Sequence, residues 1–154
     1  MLDPLGYRHR LIEEYNSSNF IKHGELSILH VNIRSISCNI NKLEAFVFRL
    51  KNKPDVIICS EAWLPFCHGC VNIHGYDYYT NESKINRSDA TVLYVKHILD
   101  LFFYIENFGN LKTVNIDINL NSNKIKISGL YRRFSYNIHN FTNDIKSYIS
   151  VNKN

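Results

Sequence analysis

Leu26-Ser27-Ile28-Leu29-His30-Val31-Asn32 is a β-rich run, set between Gly24 and the polar stretch from Arg34 to Asn41, and reads as a strand. Leu43, Phe46, Val47 and Leu50 follow at i, i+3, i+4 and i+7, with Lys42, Glu44, Arg49 and Lys51 between them. That spacing lays an apolar stripe along one face of a helix, and Pro54 marks its end. Val56-Ile57-Ile58-Cys59-Ser60 is then continuously apolar until its last residue, the pattern of a strand covered on both faces. Strand, helix and strand within about 30 residues make a βαβ unit with parallel strands and a right-handed crossover.

This unit places two polar residues together. Asn32 closes the first strand and Glu61 closes the second, so both fall at the carboxyl edge of neighbouring strands, where open α/β sheets bind ligands. A carboxylate and a carboxamide oxygen form a hard, oxygen-only partial site suited to magnesium, which keeps several waters. The alternative is that Asn32 begins a turn and Glu61 is a solvated loop acid.

Beyond the unit, Tyr76 to Thr80 is Tyr-rich, and Thr91 to Lys96 reads as a strand. The three tyrosines of the first segment fit strand packing better than base stacking. Lys112 to Leu120 alternates, with Val114, Ile116, Ile118 and Leu120 on one side. The turn residues Asn121-Ser122-Asn123 lead to Ile125, Ile127 and Gly129-Leu130-Tyr131, which predicts a hairpin. Phe141, Ile145, Tyr148 and Ile149 have helical spacing. Upstream, residues 1–25 form a lead-in whose Leu5 to Tyr15 segment suits a short helix, and residues 26–154 form the domain.

Composition narrows the class. The 154 residues are 45% hydrophobic and 21% charged, which excludes a disordered chain and gives one domain as the expected count. Leu101-Phe102-Phe103-Tyr104-Ile105 is among the longest apolar runs, far short of the roughly 20 residues a membrane helix needs; no membrane partner is expected. Without an apolar leader after Met1, an intracellular setting, nuclear or cytoplasmic, with reduced thiols is expected. The net charge of +4 is compatible with a polyanionic partner without proving one. Arg34, Lys84, Arg87, Lys96, Arg132 and Arg133 would form a track for phosphates if they converge at the strand edge. Cys67-His68-Gly69-Cys70 offers two thiolates at zinc spacing but no second pair follows, so a variable surface loop is the preferred reading. Cys59 and His30 read as core and sheet-face residues.

The ordered strings Leu29-His30-Val31-Asn32-Ile33-Arg34-Ser35, Asp55-Val56-Ile57-Ile58-Cys59-Ser60-Glu61-Ala62-Trp63-Leu64, Gly75-Tyr76-Asp77-Tyr78-Tyr79, Leu93-Tyr94-Val95-Lys96 and Gly129-Leu130-Tyr131-Arg132 carry a resemblance. From Leu26 to Ile149 the chain resembles the amino-terminal part of the endonuclease/exonuclease/phosphatase domain, in the form that non-LTR retrotransposons carry ahead of their reverse transcriptase. The resemblance implies an α/β fold, a partial two-sheet β-sandwich flanked by helices and truncated at the C-terminus. It implies magnesium-dependent hydrolysis of a DNA phosphodiester, with no small-molecule cofactor. Asn32 and Glu61 match the family's metal-site asparagine and glutamate, Tyr131 matches a catalytic tyrosine on the scissile phosphate, and Arg132 lies beside it as a phosphate ligand. Arg34, adjacent to the asparagine motif, joins it as a phosphate-binding candidate.

The chain also departs from the family. It lacks the Gly-Asp-Phe-Asn-like segment and the Ser-Asp-His ending that supply water-positioning and transition-state groups, and Asp77, Asp89, Asp117 and Asp144 lie in no matching motif. Asn86 to Thr91 replaces a glycine run, Ala62 stands where Thr is usual, and Arg133 where Pro is usual. The expectation is a fragment with little or no turnover, marginal stability and self-association through uncovered sheet. The alternatives are a non-catalytic nucleic-acid-binding remnant and a phosphomonoesterase branch of the same fold.

Overall fold

The structure is a computed structural model and describes residues 12–13, 16–17, 25–64, 71–81, 90–109, 111–120, 123–132 and 135–152. Its elements run β1 (Ile28–Asn32), α1 (Ile36–Arg49), β2 (Val56–Ser60), β3 (Tyr76–Thr80), β4 (Val92–Lys96), β5 (Leu101–Phe108), β6 (Leu111–Leu120), β7 (Asn123–Gly129) and α2 (Ile138–Val151). Two sheets result, one ordered β1-β2-β4-β3 and the other β5-β6-β7. Strands β1 and β2 are parallel, with Asn32 level with Ser60, and every other pairing is antiparallel. The expected α/β sandwich with flanking helices is the fold observed. Most of the lead-in and the Cys67–Cys70 segment lie outside the described residues, as do Lys84, Arg87 and Arg133.

Side-chain alternation builds two cores from the first sheet. Ile57 and Cys59 of β2 and Val92 and Tyr94 of β4 face α1, whose Ile36, Ile40, Leu43 and Val47 close that layer. Val56, Leu93 and Val95 face the other way and meet Val114, Ile116, Ile118 and Ile127 of the second sheet. Cys59 is fully buried, and burial pushes its thiol up to about 12, so it is an inert core residue. Of the three tyrosines, Tyr76 and Tyr78 face the α1 side, while Tyr79 packs 4.8 Å from Phe103 between the sheets.

Three features differ from the sequence reading. Helix α1 starts at Ile36, because Ile36 and Ile40 continue the stripe of Leu43 and Val47 through a stretch that looks polar in one dimension. Strand β5 goes unrecognised in the sequence, since Leu101 to Phe108 presents aromatic groups to both faces; in three dimensions it pairs with β6 along its whole length. Helix α2 exists, but of its apolar stripe only Tyr148 is buried. A polar layer holds it instead. Tyr148 donates from Oη to Asn115 Oδ1 at 2.9 Å and lies 3.1 Å from Ser128 Oγ, while Lys126 sits over the Tyr104 and Tyr148 rings and donates to Asn152 Oδ1 at 2.6 Å.

Strand β1 is an edge that the second sheet does not reach. Its residue Ile28 is 51% exposed while its β2 partner Val56 is fully buried, leaving the face of Ile28, His30 and Asn32 open to solvent. At the opposite end of the strands from Asn32, Asp55 accepts the Ser27 backbone N–H at 2.9 Å and hydroxyl at 2.7 Å and pairs with Lys96 at 2.7 Å. Lys96 therefore belongs to a structural clamp and not to a phosphate track, because β4 runs antiparallel to β2 and carries its last residue away from Glu61.

Two outcomes follow from this packing. A Cβ on Gly129 would lie 2.9 Å from Thr91 Cγ2 and 3.0 Å from both Leu93 Cδ2 and Val114 Cγ1, so Gly129→Ala crowds the side chains packed against β7. Urea unfolding is expected to show a loss of about 1–3 kcal/mol. Burial alone would raise the Asp55 pKa, but hydrogen bonds from Lys96 and Ser27 outweigh it and hold the carboxyl below its ordinary value. The Asp55 contribution is therefore complete above the unfolded-state pKa of about 3.9 and is lost as pH falls through the lower folded value. Asp55→Asn is expected to cost about 1–3 kcal/mol at neutral pH and to flatten the acid limb of a stability-against-pH curve.

Candidate active site

The pairing of β1 with β2 does not stop where the strands stop. Ile33 N–H donates to Ser60 O at 3.0 Å, Ser35 N–H to Glu61 O at 3.0 Å and Ile36 N–H to Ala62 O at 2.6 Å. These bonds zip the β1–α1 turn onto the segment after β2. Ala62 N–H in turn reaches Ala90 O at 3.0 Å, fixing that segment to the approach to β4. Within this knot the backbone is left-handed at Arg34 (φ 42°), Ser35 (φ 76°), Glu61 (φ 53°) and Trp63 (φ 43°), the non-glycine residues of positive φ among those described. A left-handed conformation costs an L-residue about 1–2 kcal/mol and persists where the surroundings impose it, characteristically at functional sites.

Asn39 is the brace. Its Nδ2 donates to the carbonyls of Ile33 and Arg34 at 3.0 Å each and lies 3.3 Å from that of Ser35. Ser35 occupies the N-cap position of α1 without making a side-chain cap, so an asparagine one turn inside the helix holds the turn instead. The sequence hid this role, because one Asn among many carries no signal until the turn it binds is known.

The left-handed backbone at Glu61 interrupts strand alternation, and its side chain reaches across to the segment that follows β7. Tyr131 Oη donates to Glu61 Oε1 at 3.1 Å. Tyr131 stands just beyond the end of β7, so this bond joins the carboxyl ends of β2 and β7. Asn32 lies exposed at the end of β1, level with Ser60. Arg34 is exposed in the turn that follows it. Arg132, next to Tyr131, donates from Nη1 to the Tyr136 carbonyl at 2.7 Å. His30 occupies the open face of β1, as a sheet-face residue, with Nε2 3.2 Å from Ser60 Oγ. The candidate residues Asn32, Glu61, Tyr131, Arg132 and Arg34 thus stand on the strand ends and turns of one edge, and Lys96 does not.

Asn32 and Glu61 offer oxygen donors only, and a carboxylate accepts at two oxygens, so the Tyr131 bond uses part of its capacity. Among the described residues no group of three or more His, Cys, Asp or Glu side chains converges. A two-donor oxygen set suits magnesium, which binds through one or two carboxylates and keeps much of its water, and does not suit zinc.

No family model and no curated protein sequence matches the chain. Solved structures do. Truncated TDP2 of Caenorhabditis elegans aligns with a TM-score of 0.58 at 14% identity, over 81% of this chain and 56% of its own. The AP endonuclease LMAP of Leishmania major aligns at 0.55 and 15% identity, over 88% of this chain and 52% of its own. The endonuclease domain of TRAS1, a telomere-specific non-LTR retrotransposon, aligns at 0.53 and 16% identity, over 79% of this chain and 52% of its own. The chain spans about half the length of these neighbours. Two sheets packed face to face, a βαβ opening unit and these three alignments lead to one assignment: the chain has the endonuclease/exonuclease/phosphatase fold.

Proposed function

We propose that the chain is a half-site of a magnesium-dependent phosphodiesterase that acts on DNA, of the type carried by non-LTR retrotransposons. The observation that carries the reading is the 3.1 Å hydrogen bond from Tyr131 to Glu61, which brings the carboxylate just after β2 against the phenol just beyond β7 at the edge where Asn32 also ends. The ordered motifs around Asn32, Glu61 and Tyr131, and the likeness to a retrotransposon endonuclease domain, support it.

In this reading Asn32 and Glu61 hold the cation, which when bound supplies positive charge to the phosphate and to the leaving oxygen. Tyr131 carries a single O–H donor, which Glu61 holds in the free chain, and turns it to a non-bridging phosphate oxygen when DNA docks. Arg132 and Arg34 neutralise the DNA backbone on either side, a charge-assisted contact that positions the strand without reading sequence. Of the described acids that could prepare water, three are already engaged. Asp55 is committed to the clamp at the far end of the strands, Asp117 pairs with Lys124, and Asp144 takes the Tyr136 hydroxyl. In this reading residues 1–154 bind metal and DNA and turn over slowly or not at all.

Titration calorimetry with magnesium is expected to show weak binding by the chain, and none by Glu61→Gln at unchanged thermal stability. Equal magnesium binding by both proteins would remove Glu61 from the metal site. A supercoiled plasmid incubated with the chain and magnesium is expected to remain closed. Nicking that vanishes in Glu61→Ala would show that these residues hydrolyse DNA unaided and would overturn the half-site reading.

A further inference from the structure

We infer that Tyr136 and Asp144 are positioning residues for Arg132, a bolt that aims its guanidinium at the DNA backbone; the inference rests on the reading of Arg132 as a phosphate ligand. Arg132 leaves the end of β7 on a long, flexible side chain, yet its Nη1 is held 2.7 Å from the Tyr136 carbonyl. That carbonyl is itself fixed. Tyr136 donates its hydroxyl to Asp144 Oδ2 on α2, and its ring stands edge-on to Phe141, with centroids 6.2 Å apart. Asn137, the N-cap of α2, accepts the His139 N–H at 2.8 Å, so the residue after Tyr136 is pinned to the same helix.

The other side of the carboxylate is closed as well. Gly109, at φ +57° in the turn between β5 and β6, would place a Cβ 3.2 Å from Asp144 Oδ2. The second sheet, α2 and the segment after β7 therefore meet at Asp144. A guanidinium is planar, with its five N–H donors in a fixed fork, so a bond from Nη1 to a braced carbonyl narrows the range of planes the fork can take. Bidentate recognition of phosphate depends on that plane. An arginine held in this way loses less conformational freedom when it docks, which is the basis of preorganised binding.

The test is the affinity of the full chain for a fluorescently labelled DNA duplex, measured by anisotropy over a series of sodium chloride concentrations, with thermal melts on every variant. Arg132→Ala is expected to weaken binding about tenfold and to reduce the salt slope by roughly one phosphate contact, about 0.9 in log–log units. Tyr136→Phe and Asp144→Ala are each expected to weaken binding three- to tenfold with a smaller loss of slope, as estimated for partial release of one such contact. Asp144→Asn, which keeps an acceptor oxygen, is expected to restore most of the affinity. The double variant Arg132→Ala/Tyr136→Phe is expected to bind no more weakly than Arg132→Ala alone. Asp55→Asn, at the far end of the sheet, should lower the melting temperature and leave the slope unchanged, separating positioning from stability. If Tyr136→Phe does not fold, the Asp144→Ala and Asp144→Asn pair decides.

Wild-type affinity and slope in Tyr136→Phe and Asp144→Ala, beside a loss in Arg132→Ala, would overturn the bolt and leave the DNA reading standing. Losses in Tyr136→Phe that add to those of Arg132→Ala would overturn it also. Wild-type behaviour of Arg132→Ala would overturn the phosphate-ligand reading and the bolt with it.

Discussion

The continuation of backbone pairing past the ends of β1 and β2 is the constraint on which the site depends. Parallel strands ordinarily part at their carboxyl ends, and the gap is what admits a ligand. Here the N–H groups of Ile33, Ser35 and Ile36 remain bonded to the carbonyls of Ser60, Glu61 and Ala62, so the two turns descend together. The same two turns carry the left-handed backbone at Ser35 and Glu61. The pairing also ties the first residue of α1 to the segment that carries Glu61, making the helix part of the site's foundation. The apolar layer of Ile36, Ile40, Leu43 and Val47 against β2 and β4 anchors that foundation from below.

Much of this was legible from residues alone. The apolar run of Val56 to Ser60 predicted a doubly covered strand, and the parallel partner, the crossover helix and the edge location of Asn32 and Glu61 followed from it. What escaped were properties that a one-dimensional pattern does not encode. Strand β5 was obscured because Phe102 and Tyr104 on one face are as apolar as Leu101 and Phe103 on the other, which erases the period of two. The start of α1 was hidden because Ser37, Asn39 and Asn41 dilute the stripe that Ile36 and Ile40 continue. Lys96 was misplaced because its position relative to Glu61 depends on strand direction, which tertiary pairing decides. The bond between Tyr131 and Glu61 joins the segments that leave strands of different sheets, and only the resemblance placed both in one site.

Helices α1 and α2 are attached by different physics. Helix α1 buries four aliphatic side chains against the first sheet, whereas α2 buries Tyr148 and relies on hydrogen bonds to Asn115 and Ser128 and on Lys126 lying over two rings. A fully satisfied polar layer holds a helix in one orientation, which suits a helix that carries the Tyr136 and Asp144 contacts behind Arg132.

That difference bears on how the molecule opens below its global unfolding transition. Detaching α1 exposes apolar surface and so carries a large heat-capacity increment, while detaching α2 exposes mainly groups that water can satisfy. With Tyr148 its one buried residue, helix α2 is expected to open as a separate unit, its amides exchanging through a local opening with weak dependence on denaturant. The strand ends at Asn32 and Glu61 share the fate of the core, and the end of β7 at Arg132 can loosen while the sandwich stays folded.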